Sequence, residues 1–138
     1  MFKITQTYED FNGVQRTDDL YFNFTEPQIR RFLEKEPAFT QKNLADIMET
    51  KDLLKMTDAI EKLLVAAYGE KSDDGKSFIK NKEIQEKFEG SAAFAQLMDD
   101  LMYKGDEKTI TEFLINIFPK KFADSIKQEL TKLPSSAE

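Results

Sequence analysis

Gly69-Glu70-Lys71-Ser72-Asp73-Asp74-Gly75-Lys76-Ser77 contains the residue types of a phosphate-binding loop: two glycines, then Lys and Ser. Such a loop separates its glycines by four residues, so that backbone amides cradle the phosphates while the ammonium neutralises them. Here five residues stand between Gly69 and Gly75. The extra residue changes the loop's path, and Asp73 and Asp74 add negative charge where a polyphosphate already carries several. A phosphate loop also follows a strand, whereas the residues before Gly69 read as a helix. The spacing therefore favours an exposed acidic turn between two helices.

The remaining catalytic chemistry is narrow. The chain has no Cys and no His, which excludes thiolate nucleophiles, disulfides, imidazole bases and the commonest metal ligands. A carboxylate-dependent hydrolase would need two acids such as Glu9 and Asp18 to converge in a pocket, which their place in a hairpin disfavours. Asp73-Asp74 and Asp99-Asp100 are adjacent in sequence, so neither pair shares a helix face or has calcium-loop spacing, and both read as solvated. No catalytic, cofactor or metal residue is expected, and the chain reads as a non-enzyme.

A chain of 138 residues, 40 % hydrophobic, fits one domain over 1–133 with a frayed tail over 134–138. Its 26 acidic and 20 basic residues leave a net charge of -6, without the basic footprint that grips nucleic acid. With 12 Phe and 4 Tyr the composition is not that of a disordered acidic chain. The start turns polar at once, unlike a signal peptide, and the longest apolar stretch, Leu63 to Tyr68, is far shorter than the ~20 residues of a membrane span. A cytoplasmic protein that meets neither membrane nor nucleic acid is expected.

The elements that must position any site begin with a hairpin. Phe2 and Ile4 alternate with polar residues, as do Leu20, Phe22 and Phe24, and Asn12-Gly13 lies between them. A two-residue turn would set the two apolar groups on opposite faces. A three-residue loop, Phe11-Asn12-Gly13, instead pairs Phe2 with Phe22, Ile4 with Leu20 and Tyr8 with Arg16, with Gly13 left-handed. One face of this hairpin either packs on helices or leaves an edge to pair with another chain.

From Thr25 the period becomes helical. Thr25 and Gln28 form a capping box for a helix bearing Ile29, Phe32 and Leu33, which Pro37 stops. A second short helix is expected over 41–49, with Leu44, Ile47 and Met48 inward. Asp52 caps a central helix carrying Met56, Ile60, Leu63, Leu64 and Ala67, with Gly69 placed to end it. Asn81 caps a helix with Ile84 and Phe88, and Gly90-Ser91 breaks it and caps the next, with Phe94, Leu97, Met98, Leu101 and Met102 inward up to Gly105. Asp106 caps a further helix bearing Ile110, Phe113, Leu114 and Ile117; Pro119 either breaks it or begins the last one, marked by Phe122, Ile126 and Leu130. The expected class is α+β, mainly α: an N-terminal β-hairpin over 1–24, then a bundle of about six or seven short amphipathic helices over 25–133.

This order resembles the tail assembly chaperones of long-tailed, siphovirus-type phages and prophages. The resemblance rests on Leu64-Val65-Ala66-Ala67-Tyr68-Gly69-Glu70 running on through Asp73-Asp74-Gly75-Lys76-Ser77-Phe78-Ile79-Lys80, on Phe88 to Leu101 with its Ala-Phe-Ala-Gln-Leu core, and on Phe113-Leu114-Ile115-Asn116-Ile117-Phe118-Pro119. Tyr8 to Gly13 and Tyr21 to Thr25 look like that family's beginning. One departure is that the chain runs on past Pro119 through Phe122 to Leu133.

The resemblance implies a protein of the host cell cytoplasm, not retained in the mature virion. It would bind the tape-measure protein, keep it soluble and promote assembly of the tail tube around it. It also implies self-association, contact with the tail-tube protein and a frameshifted longer form of the same chain. A competing reading is an acidic phage- or prophage-encoded inhibitor acting on a host protein, which would need its acids on one face, whereas lysines are interleaved here. The candidate partner-binding residues are Met98, Met102, Phe113, Leu114, Ile117, Phe118 and Phe122, chosen for adaptable methionines and a C-terminal surface rich in aromatics; core packing is the bland alternative for each. In this context Asp73-Asp74-Gly75 reads as a turn and Phe78-Ile79 as the apolar anchor that returns the chain to the core.

Overall fold

The computed structural model describes residues 1–36, 53–104, 112, 113, 115–120 and 124. Strands β1 (Phe2–Glu9) and β2 (Gln15–Phe22) pair antiparallel with Phe2 opposite Phe22, Ile4 opposite Leu20 and Tyr8 opposite Arg16. That is the register of the three-residue loop. Asp10 organises it: its carboxylate accepts from Asn12 N and Val14 N, both at 2.9 Å. Its carbonyl accepts from Gly13 N at 3.0 Å. Gly13 has φ 82°, a left-handed conformation that costs a residue without a Cβ almost nothing.

Helix α1 (Glu26–Lys35) opens on the expected capping box, in which Gln28 N donates to Thr25 Oγ1 and Thr25 N to Gln28 Oε1. Helix α2 (Leu53–Ala67) runs directly into strand β3 (Tyr68–Lys71), and a turn leads to the two-residue strand β4 (Phe78–Ile79). Helix α3 (Lys82–Glu89) is capped by Asn81, and α4 (Ala92–Asp99) by Ser91. A π-helical turn over Asp100–Lys104 follows α4.

The expected hairpin with six or seven helices is corrected by these elements. The β-structure is a four-stranded antiparallel sheet in the order β1-β2-β3-β4, and the helices number five among the described residues. Tyr21 pairs with Gly69 and Phe22 with Tyr68. Asn23 N also donates to Ala67 O at 2.9 Å, so the end of α2 is tied to the hairpin and the chain must extend rather than turn. Gly69 is therefore not a helix stop. It is buried in a strand, where a Cβ would lie 2.7 Å from Ile79 O and 2.7 Å from the Phe78 ring. Ile79, expected to anchor in the core, is 48 % exposed. The expected helix over 41–49, the caps at Asp52 and Asp106, and the helix marked by Phe122, Ile126 and Leu130 lie outside the described residues.

Phe22 is the centre of the core and fully buried. Its ring meets Tyr68 at 5.9 Å, Phe88 at 5.8 Å and Phe113 at 6.2 Å, all edge-on. Tyr68 and Phe88 stack 3.8 Å apart. Each such pair adds roughly 0.5–1.5 kcal/mol beyond the area it buries. Sheet and helices are thus joined through one aromatic cluster.

Candidate functional site

The loop between β3 and β4 uses its polar groups on itself. Ser72 Oγ donates to Asp74 Oδ1 at 2.7 Å, and Lys76 N donates to the same oxygen at 2.9 Å. Ser77 N donates to Ser72 Oγ at 3.0 Å, and Gly75 N to Ser72 O at 2.9 Å. The amides of Ser72, Gly75, Lys76 and Ser77, which a phosphate cradle would use, already have acceptors. The amide of Lys76 and the Ser72 hydroxyl hold the Asp74 carboxyl below the usual carboxylate range. Gly75, at φ 76°, forms the turn.

The carboxylates considered for hydrolysis stay apart. Asp18 sits opposite Gln6 and accepts a hydrogen bond from Tyr8 Oη, which raises the phenol's pKa. Glu9 belongs to the alternate register of β1 and points to the other face of the sheet. Among the described residues no group of three carboxylates is placed to hold a metal ion.

The residues expected to meet a partner divide into two sets. Met98 (8 % exposed), Met102 (9 %), Phe113 (8 %), Ile117 (3 %) and Phe118 (4 %) are buried in the chain's own core; Leu114 and Phe122 lie outside the described residues. Phe113 packs edge-on to Phe2 at 5.2 Å, and Phe118 stacks over Phe24 at 6.3 Å. Phe113 and Phe118 thereby cover aromatic residues of the N-terminal segment. Among the described residues the most exposed large apolar groups are Phe11 (83 %), Leu54 (78 %) and Tyr103 (77 %), followed by Met1, Val14 at the hairpin tip and Ile79. Periodicity cannot find these, because it reports only which residues share an inner face.

Two polar arrangements were not anticipated. Gln6 is buried and stands in the inward register of β1, between Ile4 and Tyr8. Its Nε2 donates to Thr7 O at 3.1 Å and to Asp100 Oδ2 at 3.0 Å, while Gln96 Nε2 donates to Asp100 Oδ1 at 2.9 Å. The first residue of the π turn is thereby tied to β1. A polar residue inside an apolar alternation was the available signal.

The second arrangement is at Lys80. Its Nζ lies 4.4 Å from the Phe24 ring centroid and donates to Gln28 Oε1 at 3.2 Å, the atom that also closes the α1 capping box. Burial alone pulls this amine down from 10.5 to about 8. Nothing in the sequence distinguishes Lys80 from its neighbours, since both contacts come from distant elements.

Each arrangement ties the sheet to a helix end. Neither the curated proteins nor the solved structures contain a match to the chain. A family model, described as phage tail assembly chaperone, matches residues 1–138. The hairpin, capped helices and acidic turn from which that resemblance was read are thus parts of one whole-chain match, and the chain belongs to the phage tail assembly chaperone family.

Proposed function

We propose that the protein binds the tape-measure protein in the host cytoplasm, keeps it soluble and hands it to the assembling tail tube, without itself remaining in the virion. The family match over residues 1–138 supports this reading. Membership of a chaperone family also favours a role in binding over catalysis. An unassembled, helix-rich tape-measure protein exposes apolar stripes that self-associate. Many copies of a small protein with net charge -6 would cover those stripes and keep the complex dispersed. Tyr103 and Phe11 offer exposed apolar contacts at once. Met98, Met102, Phe113, Ile117 and Phe118 would meet a partner only if its binding uncovered them. Contact with the tail-tube protein and with a longer form of this chain belongs to the same proposal.

Co-expression with the tape-measure protein of the same phage tests the reading. The expected result is a larger soluble fraction of the tape-measure protein and co-purification of the two chains. Equal solubility with and without this protein, together with no co-purification, overturns it.

A further inference from the structure

We propose that the outer edge of β1 pairs antiparallel with β1 of a second copy, centred on Gln6, so that two sheets join across a two-fold axis. Among the described residues β1 is the terminal strand of the sheet. The bond from Asp10 N to Val14 O fixes which main-chain groups face β2. By alternation, Phe2, Ile4, Gln6 and Tyr8 bond to β2, and the N–H and C=O groups of Lys3, Thr5, Thr7 and Glu9 lie on the outer edge. The contact from Gln6 Nε2 to Thr7 O agrees with this, because a side chain meets that carbonyl instead of a strand. Such an edge is a template for another strand.

The order of side chains selects a second copy as the occupant. Lys3, Thr5, Thr7 and Glu9 are all exposed and read cation, hydroxyl, hydroxyl, anion. Reversed, that order complements itself: Lys3 faces Glu9 of the other copy, and Thr5 faces Thr7. Opposite charges are a stabilising cross-strand combination, while the two hydroxyls, already bonded to β2 through Thr5 Oγ1 to Asp19 Oδ1 at 2.7 Å and Thr7 Oγ1 with Thr17 Oγ1 at 3.1 Å, are small enough to face one another across the seam. In the same register these positions are hydrogen-bonded pairs, so main chain and side chains choose one alignment. Gln6 then lies on the axis opposite its own copy. Thr7 O exchanges the Gln6 amide for Thr5 N–H of the other chain, and Gln6 keeps its bond to Asp100. A single strand pair is a small interface, so the dimer is weak and concentration-dependent. The inference deepens the self-association expected of a chaperone that acts in many copies, but it requires no tape-measure protein.

Sedimentation equilibrium of the full chain over a range of concentrations tests it. The wild type should dimerise. Lys3→Glu and Glu9→Lys should each weaken the dimer roughly tenfold, because each creates two like-charge pairs, and the double variant should restore it. Thr5→Pro should abolish it, since it removes an outward N–H and leaves the β1–β2 main-chain ladder intact, with loss of the exposed Thr5–Asp19 side-chain bond; circular dichroism checks the fold. As the native chain has no Cys, a mixture of Lys3→Cys and Glu9→Cys should give a 3-to-9 disulfide under oxidation. A wild type that is monomeric at every concentration, or a dimer that neither charge reversal nor Thr5→Pro alters, overturns the inference. Co-purification of the tape-measure protein with a monomeric Thr5→Pro variant would leave the chaperone reading standing.

Discussion

At Lys80 two influences act in opposite directions. The Phe24 face and Gln28 Oε1 favour an ammonium, whereas burial disfavours it, and burial prevails by lowering the pKa to about 8. The sign of the linkage follows. Between pH about 8 and 10.5 the unfolded chain holds this proton and the folded chain has begun to release it, so stability rises with pH across that window. Below it both states are charged, and the folded state bears the full desolvation penalty. Lys80→Met keeps the apolar stem over Phe24 and removes the charge. It should raise stability at pH 7 by about 1 kcal/mol, a figure discounted for partial exposure. The difference from wild type should shrink as pH approaches 10, which urea melts of both proteins at several pH values would measure.

The elements differ in how openly the sequence announces them. The hairpin register was legible because Phe2, Ile4, Leu20 and Phe22 can share a face in only one alignment and Asn12-Gly13 fixes the loop. Thr25, Asn81 and Ser91 were legible as caps because capping is a local matter of side-chain oxygen and nearby amide. Strands β3 and β4 were not legible. Tyr68–Lys71 is too short to show alternation, and its pairing depends on Phe22, far away in sequence. The two glycines of this region separate the cases. Gly69→Ala should destabilise by about 1–3 kcal/mol through overpacking, since its Cβ meets Ile79 O at 2.7 Å. Gly75→Ala has no atom within 4 Å of the new methyl and should cost about 1 kcal/mol, from its left-handed φ alone. Thermal melts of the two variants should rank in that order, and the reverse order would mean that β4 does not lie against Gly69.

For the molecule as a whole, one side chain connects the sheet, α3 and the segment around Phe113. Phe22→Ala should cost about 3–5 kcal/mol, a large part of the roughly 5–15 kcal/mol by which a domain is stable, and should broaden or abolish cooperative unfolding in denaturant. Phe22→Leu should cost far less and keep one transition. The candidate partner residues were legible as an apolar set but not as a surface. Five of them are buried in the core, two against aromatic residues of the N-terminal segment, and only distant contacts show this. The contact of Phe2 with Phe113 also sets an order of events during synthesis. The hairpin leaves the ribosome before its partners, and Phe22 is not fully covered until Tyr68, Phe88 and then Phe113 have been translated. Chains stopped before Phe113 would carry an open aromatic cluster prone to association, so the newborn protein must be extended past Phe113 before it can protect anything, itself included.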